Sequence, residues 1–102
     1  MNVDMTFYRH FAPDILAGKK TITLRDEKES GFRPGQRLRA GYEDDGEYFA
    51  TLEVVSVTPV RQSELTTEHA RQENMTEQQL RQVIGQIYPG VEQLYTIHFR
   101  VC

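Results

Sequence analysis

Five stretches of the chain are rich in β-branched, aromatic or alternating apolar residues, a pattern typical of β-strands. They are Met5–Tyr8, Thr21–Arg25, Gln36–Tyr42, Tyr48–Val57 and Leu94–Val101. In the last stretch the odd-numbered residues from Tyr95 to Val101 are predicted to face the core, and the even-numbered ones to face outward or toward a cleft. Pro59 is predicted to discourage continuation of the fourth strand in a central ladder, because proline has no N–H to donate.

Three segments are predicted to be helical, mainly from the residues at their ends. They are Pro13–Gly18, Ser63–Asn74 and a segment that begins at Thr76 and ends at Pro89-Gly90. Proline suits a first helical position and glycine suits the residue past the end. Thr66 or Thr67 is the expected cap of the second helix, and Thr76 with Gln79 fits a capping box for the third. The third helix should bury one stripe of residues at helical spacing: Leu80, Val83, Ile84 and Ile87.

The order of these elements predicts the fold class. A polar loop is expected over residues 26–35, and Glu43–Glu47 is expected to be a hairpin turn in which Asp-Gly adopts the required positive φ. Strands outnumber helices, and the middle strands are joined by a hairpin. We therefore predict a single α+β domain over residues 1–102, with a mostly antiparallel, curved sheet closed into a small barrel.

Composition and charge narrow the function classes. The chain has 102 residues, 38% of them hydrophobic and 26% charged, and its formal net charge is -3. Proteins held on RNA or DNA by phosphate contacts usually carry a basic surplus, so a long nucleic acid is not the favoured partner. A local basic cluster still leaves that partner open: Lys19, Lys20, Arg25, Arg33, Arg37 and Arg39.

Cysteine usage and hydropathy exclude two further classes. Cys102 is the only cysteine, which excludes an internal disulfide and a cysteine-based zinc site. The sequence has no apolar run long enough to cross a membrane and no signal-peptide core. We expect no membrane partner and a cytoplasmic location.

Lys20 and Thr23 are the first candidates for catalysis. A threonine hydroxyl becomes a nucleophile when a nearby base accepts its proton, and a lysine accepts a proton only when it is neutral. Burial, or cations such as Lys19 and Arg25, would lower the pKa of Lys20 from the usual lysine value of about 10.4. The alternative is a half-exposed strand with threonine for β-propensity and lysine for solubility. In a regular strand Lys20 and Thr23 point to opposite faces, so catalysis requires Lys20 to precede the strand or to lie at a bulge.

Glu73 is the third candidate. It lies where one predicted helix gives way to the next. A carboxylic acid at such a junction could protonate a leaving amine if burial raised its pKa. A solvated glutamate on a polar helix is the alternative.

The remaining polar groups give weaker signals. Arg25-Asp26 is either a binding fork for a polar ring or a structural ion pair. Turn chemistry explains the acidic run Glu43–Asp45 better than a metal site does, and His69 and His98 lack a metal-binding spacing. Four aromatic residues could stack on a base or belong to the core: Tyr8, Phe32, Tyr48 and Tyr88.

Five ordered blocks of sequence resemble a known family. The longest is Asp14–Glu27, which contains Gly-Lys-Lys-Thr-Ile-Thr-Leu-Arg-Asp. The others are Glu43–Gly46, Glu68–Ala70, Gln72–Thr76 and Ile87–Gly90. Together they resemble the ASCH-domain family, and within it the small bacterial N(4)-acetylcytidine amidohydrolases. The similarity runs nearly end to end.

The resemblance implies a PUA-like fold, a small and mostly antiparallel β-barrel flanked by helices. It also implies hydrolysis of the acetyl amide on the exocyclic nitrogen of acetylcytidine, without a metal or other cofactor. By motif position Lys20 would be the base, Thr23 the nucleophile and Glu73 the proton donor. Arg25 and Lys19 are the expected substrate-binding residues, and a small-molecule nucleoside is the expected partner.

Several alternatives stay open at this level. Thr23 either attacks the acetyl carbonyl or orients a water that attacks it, and backbone N–H groups or Arg25 are the candidate oxyanion donors. An RNA-binding module and an RNA-cleaving ASCH domain are the rival functions. A free nucleoside fits the charge and size best among the substrates. The loop at residues 27–35 is expected to form a lid, because it follows the candidate strand.

Overall fold

The strands of the computed structural model, which describes residues 3–102, form one mixed sheet that curls into a half-barrel. They are β1 (Met5–Phe7), β2 (Ile22–Arg25), β3 (Arg37–Tyr42), β4 (Tyr48–Arg61) and β5 (Gln93–Val101). The strand order is β1-β3-β4-β5-β2, with β1 parallel to β3 and the other neighbouring pairs antiparallel. The α+β class and the mostly antiparallel, curved sheet are confirmed, but the sheet does not close into a full barrel, because β1 and β2 do not pair and remain its two edges.

Three α-helices flank this sheet in the described part of the chain. They are α1 (Ala12–Leu16), α2 (Thr67–Gln72) and α3 (Glu77–Ile87). Thr66 caps α2, and the predicted capping box of α3 is present, with the Gln79 N–H donating to the Thr76 hydroxyl over 3.1 Å. Short 3-10 helices occupy Arg9–Phe11, Glu27–Glu29 and Gln62–Glu64. None of the helices in residues 3–102 has the length and apolar character needed to span a membrane.

Two apolar clusters pack against opposite faces of the sheet. One cluster joins α1 to the inside of the half-barrel and includes Phe7, Ile15 and Ile97. The other packs α2 and α3 against β2 and β5 and includes Leu80 and Leu94. Leu94 and Ile97 are three residues apart on one strand, so they point to opposite faces.

Three predictions about burial and strand length need correction. In β5, Leu94 is buried and Val101 is exposed, because one end of the strand packs under the helices and the other leaves the core. In α3, Ile87 is exposed, because it borders a cavity and not the core. β4 continues through Pro59 to Arg61. Because β3 pairs with β4 only as far as Glu53, the part of β4 that contains Pro59 pairs with β5 alone. Proline is tolerated in a strand that has a neighbour on one side only.

Alanine substitutions at two glycines test the packing around β3 and the stability of α3. The register of β3 and β4 shifts at Gly41, where an added Cβ would lie 2.8 Å from Val3 Cγ1 and 3.0 Å from the Glu47 carbonyl oxygen. We expect Gly41→Ala to lower the free energy of unfolding by about 1–3 kcal/mol, as overpacking does. Gly85→Ala meets nothing within 4 Å in α3. It should raise the free energy of unfolding by about 1 kcal/mol, the difference in helix propensity. Urea unfolding of both variants measures this, and equal midpoints would contradict it.

Candidate active site

The buried polar side chains of the described residues meet in one pocket. Lys20, Thr23 and Glu73 are 3%, 5% and 4% exposed, and no other polar or charged residue of the described chain is as buried. All three line a single cavity of about 250 Å³. Charged side chains are rarely buried without a specific partner or function, so this convergence marks the candidate active site.

The end of α1 places Lys20. Gly18 adopts a φ of +74°, which lets the chain reverse after the helix. The Lys20 N–H then donates to the Asp14 carbonyl oxygen over 3.1 Å. Because β2 begins only at Ile22, Lys20 lies before the strand. This meets the geometric condition for Lys20 and Thr23 to share one pocket.

The junction between α2 and α3 places Glu73. Glu73 is the C-cap of α2, and Asn74 follows with a φ of 59°, a conformation that asparagine tolerates better than most residues. The Thr21 N–H donates to the Gln72 carbonyl oxygen over 2.8 Å. This backbone bond joins the neighbours of Lys20 and Glu73, and so brings the two side chains together.

Lys20 is held in a low-dielectric site. Its ammonium contacts the Glu73 carboxylate and donates to the Ile22 carbonyl oxygen over 2.9 Å. Nζ also lies 4.8 Å from the centre of the Phe11 ring. Burial, and secondarily the positive charge of Arg25, lower the pKa of Lys20 to about 7. A lysine in this state is available as a base near neutral pH.

Arg25 orients Thr23. Its Nε donates to the Thr23 hydroxyl oxygen over 3.0 Å, so the hydroxyl proton is left for another acceptor. The two terminal nitrogens of Arg25 donate to the Thr6 carbonyl oxygen at 2.8 Å and to the Glu29 carboxylate at 3.1 Å. Within residues 3–102, no hydrogen bond joins Lys20 to Thr23. The Lys20 amine must therefore turn from Glu73 to reach the hydroxyl.

The rest of the pocket has an apolar wall and a polar mouth. The apolar wall comes mainly from α3 and its neighbours: Leu24, Met75, Leu80, Val83, Ile84 and Ile87. This explains why Ile87 stays exposed, since it faces the open cavity instead of the core. The mouth carries four residues with polar groups: Tyr8, Glu29, Glu43 and Tyr88.

Sequence reasoning did not identify Glu29 or Glu43 as residues of the site. The spacing of Arg25 and Glu29, four residues apart, was a usable signal for their ion pair. Glu43 gave no such signal, because its hydroxyl partner Thr6 is 37 residues away. Glu29 also brings the loop at residues 27–35 to the pocket, and its role as a lid stays a prediction.

Other predicted groups lie elsewhere. Lys19 is exposed and does not line the pocket. Phe32 and Tyr48 do not line it either, whereas Tyr8 and Tyr88 do. Arg25 pairs with Glu29, not with the adjacent Asp26, so the ion pair, one of the two roles considered for Arg25-Asp26, is absent from the described residues.

Two charged clusters also have structural explanations. The side chains of Asp44 and Asp45 both bind Arg9 beside the hairpin turn. Lys20 and Arg25, two of the six residues of the basic cluster, point into the pocket and are bound there. The basic surface available to a nucleic acid is reduced accordingly.

The chain is similar in sequence to named proteins of several bacteria. No model of a known protein family matches the chain. It is similar to an N(4)-acetylcytidine amidohydrolase of Cronobacter sakazakii, with 61% identity over 98% of this chain and 96% of that protein. The Serratia proteamaculans protein of the same name is 52% identical over 97% of both chains.

Two solved structures support the fold alone. An ASCH domain from Lactobacillus crispatus has a TM-score of 0.78 at 18% identity, covering 95% of this chain and 78% of that one. The ASCH protein of Zymomonas mobilis has a TM-score of 0.74 at 17% identity, covering 94% of this chain and 64% of that one.

The buried ion pair can be tested by stability. Lys20→Met leaves the Glu73 carboxylate buried without a partner and should lower the free energy of unfolding by about 3–5 kcal/mol. The double variant Lys20→Met/Glu73→Leu should recover most of this loss, because a well-packed apolar pair often replaces a buried ion pair without cost. Arg71→Met, which breaks the exposed pair with Glu68, is the control and should change little. Urea unfolding gives all three values; an additive double variant would contradict the coupling.

Proposed function

Because this chain belongs to the N(4)-acetylcytidine amidohydrolases, which are amide hydrolases, we propose that it removes the acetyl group from N(4)-acetylcytidine to give cytidine and acetate. Lys20 is the proposed base, Thr23 the nucleophile and Glu73 the proton donor. The observation that carries this assignment is the burial of these three side chains in one pocket. Each role needs a side chain that is shielded from water and held in place by its neighbours, and all three side chains meet these two requirements.

The contact between Lys20 and Glu73 prepares both partners for catalysis. Transfer of one proton from the ammonium to the carboxylate gives a neutral amine and a carboxylic acid without changing the charge of the pocket. Burial makes this neutral pair accessible from the ion pair, because a low-dielectric site penalises the two charges. The same transfer therefore creates the base and the acid that amide hydrolysis requires.

The acylation step follows from this starting state. The neutral Lys20 amine takes the Thr23 hydroxyl proton, and the Thr23 oxygen bonds to the acetyl carbonyl carbon. The carbon–nitrogen bond then breaks, and Glu73 gives its proton to the departing exocyclic nitrogen. The products of this half-reaction are cytidine and an acetyl ester on Thr23.

Water completes the cycle. Lys20 returns its proton to the Glu73 carboxylate and, as a neutral amine, deprotonates a water that attacks the ester. The bond between this carbon and the Thr23 oxygen then breaks, and the resulting acetic acid gives its proton to that oxygen and leaves as acetate. Lys20 releases the proton that it took from water to the solvent, which restores the starting state. In the alternative route, Thr23 orients a water that attacks the acetyl carbonyl directly. Mass spectrometry of the protein during turnover separates the two routes, since only the first adds an acetyl group to Thr23.

Arg25 is the proposed binding residue next to the reacting carbonyl. Its guanidinium already touches Thr23, so it lies close to where negative charge develops on the oxygen. Tyr8 and Tyr88 present aromatic rings at the mouth for the cytosine ring. Lys19 stays a predicted substrate contact, although its side chain is exposed and lies outside the pocket lining.

Variants of the three residues test the reaction and the site together. Glu73→Gln and Lys20→Met should lower kcat for N(4)-acetylcytidine by about 10²–10⁴-fold, the usual contribution of acid–base groups. Thr23→Val should abolish the covalent route, whereas Thr23→Ser keeps the hydroxyl and should retain measurable turnover. Thr58→Val, a control on an exposed part of β4, should behave as wild type.

Steady-state assays on variants with wild-type circular dichroism provide the measurement. Full activity in Thr23→Val and Glu73→Gln would refute the site assignment. Absence of wild-type turnover, together with salt-dependent RNA binding, would favour the RNA-binding function instead.

The pH profile tests the assignment of Lys20. Since its pKa is lowered to about 7, the fraction of neutral base grows as pH rises, and kcat/KM should increase through about pH 7. Removing the nearby cation with Arg25→Gln should raise the pKa of Lys20 and move this midpoint to higher pH. Asp14→Asn removes a carboxylate that raises the pKa of Lys20, so the midpoint should move to lower pH. Arg100→Gln is the exposed control, and identical midpoints in all variants would contradict the assignment.

A further inference from the structure

The charges that line the pocket do not balance. Two cations, Lys20 and Arg25, face three carboxylates, those of Glu29, Glu43 and Glu73. Lys20 and Glu73 compensate each other deep in the pocket. At the mouth, one guanidinium faces two carboxylates, which leaves one excess negative charge where a substrate enters.

The two mouth carboxylates are fixed in place. Glu29 accepts from Arg25 at 3.1 Å and from the Tyr88 hydroxyl at 3.3 Å, so it connects β2 to the end of α3. Glu43 accepts from the Thr6 hydroxyl. No cation pairs with Glu43 among residues 3–102, and its negative charge therefore acts on whatever lies in the mouth.

Three of the five N–H groups of Arg25 are already used. Each of its three nitrogens already donates, to Thr23, to Thr6 and to Glu29. A phosphate could use only the two remaining N–H groups, one on each terminal nitrogen, and one of these nitrogens already contacts the Glu29 carboxylate. A phosphate bound there would lie beside the Glu29 carboxylate, which repels it.

We propose that Glu29 and Glu43 make the pocket selective for the uncharged nucleoside, and that they exclude its phosphorylated forms by charge. The inference rests on the proposed function and names the substrate class of that same site. Carboxylates also accept hydrogen bonds from the hydroxyls of a sugar, so the same two groups attract a nucleoside and repel a nucleotide. Acetylcytidine in RNA would then reach this enzyme only after nuclease and phosphomonoester hydrolysis steps have released it.

The test compares kcat/KM for N(4)-acetylcytidine with that for its 5′-monophosphate. A unit charge pair a few ångströms apart near water is worth about 1 kcal/mol, which is about a fivefold change, so the wild type should prefer the nucleoside by about fivefold or more. Glu29→Gln and Glu43→Gln should each reduce this preference, and the double variant should reduce it further. Glu27→Gln and Glu47→Gln remove exposed carboxylates that lie outside the pocket lining, and they should leave the preference unchanged.

Two further measurements separate charge from size. Raising the salt concentration should weaken the preference in the wild type, because salt screens exposed charges, and should have less effect in the double variant. A 5′-O-methyl derivative adds bulk without charge and should be hydrolysed nearly as well as the nucleoside.

The outcomes distinguish this inference from the proposed function. Wild-type hydrolysis of both substrates at similar kcat/KM would overturn the inference while leaving the proposed function intact. A preference that is insensitive to salt and to both substitutions would also overturn it and indicate exclusion by size. Hydrolysis of neither substrate would mean that the proposed function itself is wrong.

Discussion

The buried contact between Lys20 and Glu73 joins two halves of this molecule, the segment that contains α1 and β2 and the segment that contains α2 and α3. Lys20 belongs to the turn that leads from α1 into β2, and Glu73 ends α2 at its junction with α3. Two opposite charges are costly to bury unless each has its partner, so either half alone would hold an uncompensated charge. The pairing therefore fixes how the helices lie on the sheet, and at the same time it lowers the cost of keeping a reactive amine out of water.

The pocket exists because the half-barrel is open. β1 and β2 are the two edges of the sheet, and the contact of Arg25 with the Thr6 carbonyl oxygen spans them. A continuous backbone ladder at this point would have filled the space with paired strands. Instead, a guanidinium crosses the gap, orients Thr23 on one side and meets Glu29 on the other. The same side chain thus supports the fold and the reactive centre.

Local patterns predicted most elements because their causes are local. Alternation, or a high content of β-branched and aromatic residues, identified the strands, and the capping box of Thr76 and Gln79 identified the start of α3. The errors have a common origin, because both depend on where an element lies in the tertiary structure. Pro59 is tolerated because β3 does not extend beside it, and Ile87 is exposed because its helix borders the cavity. Neither fact is visible to a pattern that extends over a few neighbouring residues.

The sequence alone determined that Thr23 and Arg25 share one face of a strand, since side chains alternate with a fixed period of two. It also identified Lys20 and Glu73 as candidate catalytic residues, through the resemblance of their motifs to a family. Only the tertiary structure decided that these two side chains touch across 53 positions of sequence, and that Glu43 shares their pocket. The reason is physical: periodicity governs residues two to four positions apart, whereas contacts across a pocket depend on strand order, sheet curvature and helix packing.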